Sequence, residues 1–178
     1  MALVRFMLLC SFLIYSQVCS MPTKCIIRRD HVESSHNLLE NMGGLFPREC
    51  LEENVEITFP KSALQSNGSN QKIAVYTIMR HIDALFENET HPESWVPEKV
   101  DAFRHNVYRL KEDNKCVNFG ETHGPVDDFP AMDDALRNYF EELATLLRNK
   151  DYSFCAWEVV RKELLSVLKD ILQINSSE

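Results

Sequence analysis

The sequence predicts one domain with an all-α fold of five helices, cross-linked by two disulfides. Three observations support it. Apolar residues recur at steps of three and four in several segments, which is the period of an amphipathic helix. Only five of the 178 residues are glycine, which argues against a turn-rich β-sandwich, while 44% apolar residues suffice for one core. Once the predicted signal peptide, residues 1–20, is removed, an even number of cysteines remains, which is typical of a disulfide framework.

The first twenty residues have the layout of a secretory signal. Arg5 supplies a basic start, residues 6–15 form an apolar run, and residues 18–20 offer small side chains with cleavage expected after the last of them. The alternative is a membrane anchor, but the run is too short to cross about 30 Å of hydrocarbon as a helix. The sequence therefore predicts a secreted protein in which residues 1–20 are a signal peptide and residues 21–178 a single helical domain.

Three predicted helices occupy the first part of this domain. The first runs from Ile26 to Met42 and ends at Gly43-Gly44, because glycine readily adopts the conformation that closes a helix. The second carries an apolar stripe: Val75, Ile78, Met79, Ile82, Leu85 and Phe86. The third carries another: Val96, Val100, Phe103, Val107 and Leu110. Ser94 suits the N-cap of this third helix, with Pro97 in its first turn.

The last two predicted helices have the clearest periodicity. The stripe of the fourth consists of five residues: Met132, Leu136, Tyr139, Leu143 and Leu146. The fifth helix extends from about Ser153 to Ile174. Its stripe consists of seven residues: Phe154, Trp157, Val160, Leu164, Val167, Ile171 and Ile174.

The lengths of the connections predict how the helices run. A short turn around Asp151 joins the fourth and fifth helices, and the link from second to third is also short, so each pair is antiparallel. The link from first to second, roughly Gly43 to Asn70, is long enough for those two helices to run parallel. The order is then up, up, down, up, down. This is the topology of a five-helix cytokine bundle: an up-up-down-down type of core with a long crossover and an additional helix.

Four cysteines remain after cleavage: Cys25, Cys50, Cys116 and Cys155. They allow three connectivities. The predicted topology places the first and third at one end of the bundle and the second and fourth at the other, and a disulfide needs Cα atoms within about 7 Å. The expected pairs are therefore Cys25–Cys116 and Cys50–Cys155. A zinc site is the alternative, but no CxxC or paired-histidine spacing favours it, and no metal is expected.

Charge and motifs argue against several other functions. The net charge of −8 leaves no basic stripe for nucleic acid or an anionic membrane. No pattern of a nucleophile elbow, zinc protease, phosphate loop or EF-hand is present, and disulfides use the cysteines, so neither an enzyme nor a cofactor is expected. Asn67 and Asn88 begin sequons in predicted loops and are the expected glycosylation sites.

The outer side of the fifth helix carries an unexpected pattern. Arg161, Leu165, Lys169 and Leu172 stack at helical spacing, so apolar side chains alternate with cations on a face expected to meet water. A wider core stripe, or lysines lying over apolar neighbours, would explain this without any function. The functional interpretation is a binding surface with apolar anchors and a basic rim, which would attract an acidic partner.

The last two helices resemble type I interferons. The matching residues are Tyr139-Phe140-x-x-Leu143-x-x-Leu146-Leu147 and, after seven residues, Cys155-Ala156-Trp157-Glu158-Val159-Val160-Arg161. One position, Glu142, departs from the family. In the crossover, Cys50-Leu51-Glu52-Glu53 followed by Phe59-Pro60 is similar to the loop with which the family binds its receptor. With four cysteines, the chain looks more like the fish four-cysteine group (group II) than like mammalian members.

The resemblance implies a secreted cytokine that bridges two chains of a class II cytokine receptor and induces antiviral genes through JAK–STAT signalling. A monomer is expected. The resemblance also implies the same disulfide pairing. The receptor-binding residues that it implies lie on the fifth helix and in the crossover: Arg161, Lys162, Leu165, Ser166, Lys169, Leu51, Glu53 and Glu56. Asn54 stands where the family usually has an arginine on which this contact depends. A second receptor surface is expected on the second and third helices.

Two alternatives remain open at this point. One is another secreted helical ligand, such as an interleukin-10-like cytokine or a hormone, against which the Cys155-Ala156-Trp157 motif counts. The other is a secreted helical carrier of small apolar molecules. A carrier needs an internal cavity, whereas the bulky apolar stripes indicate a filled core.

Overall fold

The structure is a computed structural model, and it describes residues 27–65, 68–87, 91–113 and 129–174. All regular secondary structure within these ranges is helical, and they contain no β-strand. It forms five α-helices: α1 (Arg29–Gly43), α2 (Ser69–Leu85), α3 (Pro97–Asp113), α4 (Phe129–Asn149) and α5 (Phe154–Ile174). Two short 3₁₀ segments, Arg48–Glu53 and Lys61–Leu64, lie in the crossover between α1 and α2. The predicted all-α fold is confirmed, and none of the described helices is long and apolar enough to span a bilayer.

α1 ends at the predicted glycines but begins later than expected. Ile27 and Arg28 are not helical, so Arg29 is the first residue of the helix. At the other end Gly44 has a φ of +71°, and its N–H donates to the carbonyl of Glu40 at 3.1 Å. This left-handed conformation favours glycine because it has no Cβ to clash with the backbone.

The beginning of α3 corrects one prediction. The helix begins at Pro97, and the carbonyl of Val96 accepts hydrogen bonds from the N–H groups of Lys99 and Val100. Ser94 lies three residues before the helix, so the expectation that it is the N-cap is wrong. Proline is favoured at the first helical position because the N–H that it lacks would have no partner there.

Contacts between helix ends give the directions of three helices. The carboxyl end of α1 lies beside the start of α3, where the N–H of Val96 donates to the carbonyl of Met42 at 3.1 Å. The amino end of α1 lies beside the end of α5, where Arg29 donates to the carbonyl of Leu172 at 3.3 Å. α1 is therefore antiparallel to both α3 and α5. The end of the bundle at which α1 stops is called the upper end below.

The remaining two helices run upward like α1. Lys61 precedes α2 and pairs with Asp170 near the lower end of α5 at 3.0 Å, so α2 starts at the lower end. After α2, the ring of Phe86 lies against Trp95 and Trp157 at the upper end. α4 is antiparallel to α5 because residues 150–153 join them in a tight turn. The predicted order of up, up, down, up, down is confirmed.

The core is made by the predicted apolar stripes and is rich in aromatic rings at its upper end. Trp95 and Trp157 are buried and meet edge to face, with ring centroids 5.7 Å apart. Phe86 contacts both rings and also Phe103, at 5.1 Å. Val96 is the one residue of the predicted stripes that is exposed, because it precedes α3, while four others are only half-buried: Met132, Leu146, Phe154 and Ile174.

One of the two predicted disulfides lies within the described residues. Cys50, in the first 3₁₀ segment, is bonded to Cys155, in the first turn of α5, with Cα atoms 5.1 Å apart and a sequence separation of 105. This pairing is confirmed. Several other predicted features lie outside the described residues and stay predictions: Cys25, Cys116, Asn67, Asn88 and the signal peptide of residues 1–20.

Candidate binding surface of the crossover and the fifth helix

Arg161 lies in the interior and not on the outer face of α5. Its side chain is only 2% exposed, so the expectation that it stands on the water-facing strip is wrong. The physical reason is Glu158, which precedes it by three residues and is fully buried. A buried carboxylate needs a counter-charge, and the guanidinium of Arg161 supplies one at 2.6 Å.

A third buried group completes this ion pair. The indole N–H of Trp95 donates to Oε1 of Glu158 at 2.6 Å. Arg161 donates to the same carboxylate from Nε at 3.2 and 3.3 Å and from Nη2 at 2.6 Å. Both carboxylate oxygens are therefore hydrogen-bonded, as a charge out of water requires. Trp95, Glu158 and Arg161 are called the buried polar cluster below.

The buried polar cluster also caps α1. Nη1 of Arg161 donates to the carbonyls of Leu39 and Glu40, both at 3.3 Å, and Nη2 donates to the carbonyl of Gly44 at 2.8 Å. The last turn of a helix leaves carbonyl groups without helical partners and carries the negative end of the helix dipole. A cation from α5 thus satisfies the end of α1.

Two groups at the start of α3 complete the cap. Nζ of Lys99 donates to the carbonyl of Asn41 at 2.9 Å, and the N–H of Val96 donates to the carbonyl of Met42 at 3.1 Å. The last turn of α1 contains no basic residue of its own. The cations at this helix end therefore come from other helices, and α1, α3 and α5 meet at one polar junction.

Gly43 makes room for this junction. A Cβ at this position would lie 2.8 Å from both Nε of Arg161 and Oε1 of Glu158, and 2.9 Å from Nε1 of Trp95. These distances are shorter than carbon contacts allow, so any side chain would displace the buried polar cluster. The two adjacent glycines have different roles: Gly43 permits the close approach, and Gly44 adopts the positive φ.

The other residues predicted on α5 form a narrower outer strip. Ser166 and Lys169 are exposed, and Lys162 is partly exposed. Leu165 and Leu172 are half-buried and pack against the core. The wider core stripe, weighed as an alternative, therefore accounts in part for the two leucines, while the three polar residues remain accessible to a partner.

The predicted crossover residues lie on the same side of the bundle. Leu51 is 59% exposed, and Glu56, five residues further along the crossover, is also exposed. Glu53 forms an ion pair at 3.3 Å with Lys150, in the turn that precedes α5. The disulfide at Cys50 holds this part of the crossover against the first turn of α5.

Lys162 joins the crossover to the outer strip. Its Nζ donates to Oδ1 of Asn54 at 2.6 Å and to the carbonyl of Val55 at 3.4 Å, and it lies 3.0 Å from the carboxylate of Glu163. The structure therefore brings the predicted residues of α5 and of the crossover into one surface. The neutral Asn54 faces a lysine of α5, so the cation at this point of the surface belongs to the helix and not to the loop.

Sequence reasoning missed two exposed apolar side chains of the crossover. Leu45 is 94% exposed and Val55 is 44% exposed. Both lie in the crossover, where no helical period exists to separate inward from outward positions. One signal was available for Leu45, because a residue that directly follows a Gly-Gly helix stop lies beyond the face that α1 buries. Large aliphatic groups that remain exposed close together mark interaction surfaces.

The described ranges contain no cluster of metal ligands, and the groove that they form between α1 and α3 is open. No group of three or more potential metal ligands occurs among the described residues. A groove between α1 and α3 is open and lined mainly by polar side chains: Asp30, Glu33, Ser34, Asn37, Leu38, Asn41 and Lys99. It does not resemble the enclosed apolar pocket that a carrier of small apolar molecules would need.

The fold and this surface together define a class of protein. A five-helix bundle whose long crossover is bonded to its last helix is a helical cytokine. A family model described as the interferon alpha/beta domain matches residues 27–177. The chain belongs to this family and is a type I interferon.

Known relatives support this assignment. Human interferon omega-1 is 30% identical over 165 residues, which cover 86% of this chain and 82% of that protein. Human interferon alpha-7 is 28% identical over 161 residues, which cover 85% and 83%. These relatives argue against the interleukin-10-like alternative and, like the family itself, are cytokines and not enzymes.

Two solved structures of fish interferons are similar to this chain. Zebrafish interferon 2 has a TM-score of 0.80 and 62% identity, covering 84% of this chain and 99% of that chain. Zebrafish interferon 1 has a TM-score of 0.66 and 25% identity, covering 83% and 94%. The expected likeness to fish type I interferons is confirmed.

Proposed function

We propose that this protein is a secreted interferon that bridges two chains of a class II cytokine receptor and induces antiviral genes through JAK–STAT signalling. Residues 1–20 direct its export, and residues 21–178 are the mature cytokine. Membership of the interferon alpha/beta family supports the signalling role. The observation that carries the proposal is the joint surface of the crossover and α5, where Leu45, Leu51 and Val55 stay exposed among charged side chains.

One receptor chain binds this joint surface. Exposed aliphatic groups within a polar rim are the usual form of an interaction hot spot, because the rim excludes water from the central contacts. The apolar anchors are Leu45, Leu51 and Val55 of the crossover, and the half-buried Leu165 adds apolar area on α5. The polar rim consists of Glu53, Glu56, Lys162, Ser166 and Lys169. Arg161 supports this surface from inside and does not touch the receptor.

The second receptor chain binds a different surface, on α2 and α3. Tyr108 of α3 is half exposed, and Nζ of Lys111 lies 5.0 Å from the centre of its ring. Tyrosine is enriched at protein interfaces because it combines a large apolar area with a polar tip. Tyr108 therefore marks the expected second contact.

The mature protein is a monomer with a second disulfide and two N-glycans. The disulfide joins Cys25 to Cys116, and the glycans are attached to Asn67 and Asn88. Mass spectrometry of the protein secreted by eukaryotic cells, with and without reduction and enzymatic deglycosylation, checks the disulfide and the glycans. Free thiols at Cys25 and Cys116, or unmodified sequons, would contradict them.

The function is tested with oxidised mature protein added to cells of its own species. We expect STAT phosphorylation, induction of antiviral transcripts, and binding to the extracellular domains of two class II receptor chains. Leu51→Ala should reduce potency about tenfold or more without lowering the melting temperature, since an exposed anchor is lost. Val96→Ala is the matched control, because Val96 is another exposed aliphatic residue but lies before α3. A wild-type protein that induces no antiviral transcripts would overturn the proposal.

A further inference from the structure

Four contacts attach the described part of the crossover, residues 44–65, to α5. Two attachments are near the start of the crossover: the carbonyl of Gly44 accepts a hydrogen bond from Arg161, and Cys50 is bonded to Cys155. A third is in the middle, where Asn54 and Val55 accept hydrogen bonds from Lys162. The fourth is the ion pair of Lys61 with Asp170. The crossover therefore follows α5 and depends on it for its conformation.

Each exposed aliphatic anchor directly follows one of these attachments. Leu45 follows Gly44, Leu51 follows Cys50, and Val55 follows Asn54. The side chains offered to the receptor are therefore those whose backbone α5 holds in place. An ordered loop binds more tightly than a mobile one, because the entropy of ordering has been lost before the partner arrives.

The middle of the crossover is where order depends most on side chains of α5. After the disulfide at Cys50 the first 3₁₀ segment ends at Glu53, and residues 54–56, before the buried Ile57, form no helix or strand. Two lysines outside the crossover reach this stretch. Lys150 pairs with Glu53 at 3.3 Å, but both side chains are well exposed, and such surface pairs contribute little.

Lys162 makes the stronger attachment. Its bond to Oδ1 of Asn54 measures 2.6 Å, a charge-assisted hydrogen bond, and it also reaches a backbone carbonyl of the crossover. Its side chain is 35% exposed, and the carboxylate of Glu163 neutralises part of its charge. These contacts engage the ammonium group of Lys162 with partners inside the protein itself.

We propose that Lys162 is a positioning residue: it orders the stretch of residues 51–56 so that Leu51 and Val55 are presented to the receptor. The inference rests on the proposed function and assigns Lys162 a role within it. Lys162 acts through Asn54 and the Val55 carbonyl, and not as a cation that pairs with an acidic group of the receptor. The rival interpretation, a direct charge contact, predicts a different response to mutation.

The test combines hydrogen exchange of the free protein with receptor binding. Lys162→Met should speed exchange of the amides in residues 51–56 several-fold, since local opening becomes easier. It should also weaken binding to the receptor chain several-fold, because the receptor must then order the freed stretch. Lys169→Met is the matched control, because Lys169 is an exposed lysine two turns further along α5. It should leave the exchange of residues 51–56 unchanged.

A double-mutant cycle with Asn54→Ala separates positioning from direct contact. If Lys162 acts through Asn54, Lys162→Met should weaken binding clearly less in the Asn54→Ala background than in the wild type. Equal losses in both backgrounds, or unchanged exchange of residues 51–56, would overturn the inference. A wild-type protein that binds no receptor chain would overturn the proposed function. The exchange data alone would still decide whether Lys162 orders the crossover.

Discussion

The guanidinium of Arg161 donates a 2.8 Å hydrogen bond to the carbonyl of Gly44, so α5 holds the residue at which α1 stops and the crossover begins. A side chain that the sequence placed on the outer surface is therefore the cap of another helix. Cations that alternate with leucines suggest an amphipathic surface. The same pattern arises when one of those cations pairs with a buried carboxylate, here Glu158.

Loss of the Arg161 side chain should destabilise the fold strongly. In Arg161→Ala the carboxylate of Glu158 stays buried without its counter-charge, and breaking such a pair typically costs about 3–5 kcal/mol. Urea unfolding measures this change in the free energy of unfolding. Lys169→Ala, on the exposed strip, should stay within about 0.5 kcal/mol of the wild type.

A second variant shows whether the lost counter-charge is the cause. Glu158→Gln combined with Arg161→Met removes both charges and should lose less stability than Arg161→Ala alone. If Arg161→Ala were as stable as Lys169→Ala but bound the receptor weakly, Arg161 would be a surface contact and its burial would be refuted.

Substitution of Gly43 should also destabilise the fold by disturbing the buried polar cluster, but by a smaller amount. In Gly43→Ala the new methyl group would lie within 3 Å of all three members of the buried polar cluster. Overpacking of a tight interior costs about 1–3 kcal/mol, which the melting temperature or urea unfolding would detect. Glu40→Ala, an exposed position on α1, is the control and should have little effect. If Gly43→Ala and Glu40→Ala were equally stable, the polar junction would accommodate the new methyl group without strain.

The fold could be predicted from the sequence because its determinants repeat along the chain. Apolar residues at a period of 3.6 define the helices, and the short turn around Asp151 fixes the direction of α5 relative to α4. The topology then brought Cys50 and Cys155 to the same end, which the disulfide confirms. None of these steps needs the conformation of an individual side chain.

The candidate surface could be predicted only in outline. The crossover and α5 do meet, as the family resemblance implied, but the burial of Arg161 depends on Trp95 and on carbonyls of α1 that are distant in sequence. A charged residue on a helix gives no sign of such partners. Leu45 and Val55 escaped notice because the crossover has no period from which exposure can be inferred.

His81 should make stability depend on pH. Its ring stacks on Phe140, with centroids 5.0 Å apart, and Nε2 is buried without a hydrogen-bond partner in the described structure. Burial lowers the pKa of the imidazole, as does the neighbouring Arg80, while Asp133 opposes the shift in part and Arg137 adds to it. The unfolded chain therefore takes up the proton at a higher pH than the folded protein does.

The sign of the His81 effect follows from this difference. The stability that neutral His81 contributes is fully present above pH 6.5, the ordinary pKa of histidine. It is lost as the pH falls toward the lowered pKa of His81 in the folded protein. The melting temperature of the wild type should therefore fall more steeply from pH 7 to pH 5 than that of His81→Phe, which keeps the stacking. His105→Gln, at an exposed position on α3, should leave the slope unchanged. Parallel profiles for the wild type and His81→Phe would contradict this account.

Removal of the Tyr139 hydroxyl should stabilise the protein. The ring packs edge-on against Phe59 beneath the crossover, and within the described residues the buried hydroxyl has no hydrogen-bond partner. Burial raises the pKa of Tyr139, and the negative charges of Glu163 and Asp170 raise it further, so the group stays protonated. An unpaired buried hydroxyl costs about 1–3 kcal/mol, and Tyr139→Phe should recover roughly 1 kcal/mol of that in urea unfolding.

The half-exposed Tyr108 provides the control for this change. Tyr108→Phe removes the same hydroxyl from a position that water can reach, and its free energy of unfolding should stay within about 0.5 kcal/mol of the wild type. If Tyr139→Phe instead lost more than about 1 kcal/mol, the hydroxyl would be paired in solution, as by an ordered water molecule. The space beneath the crossover would then be hydrated and not filled by apolar contacts alone. The sign of the Tyr139→Phe effect thus decides whether the crossover covers a dry core.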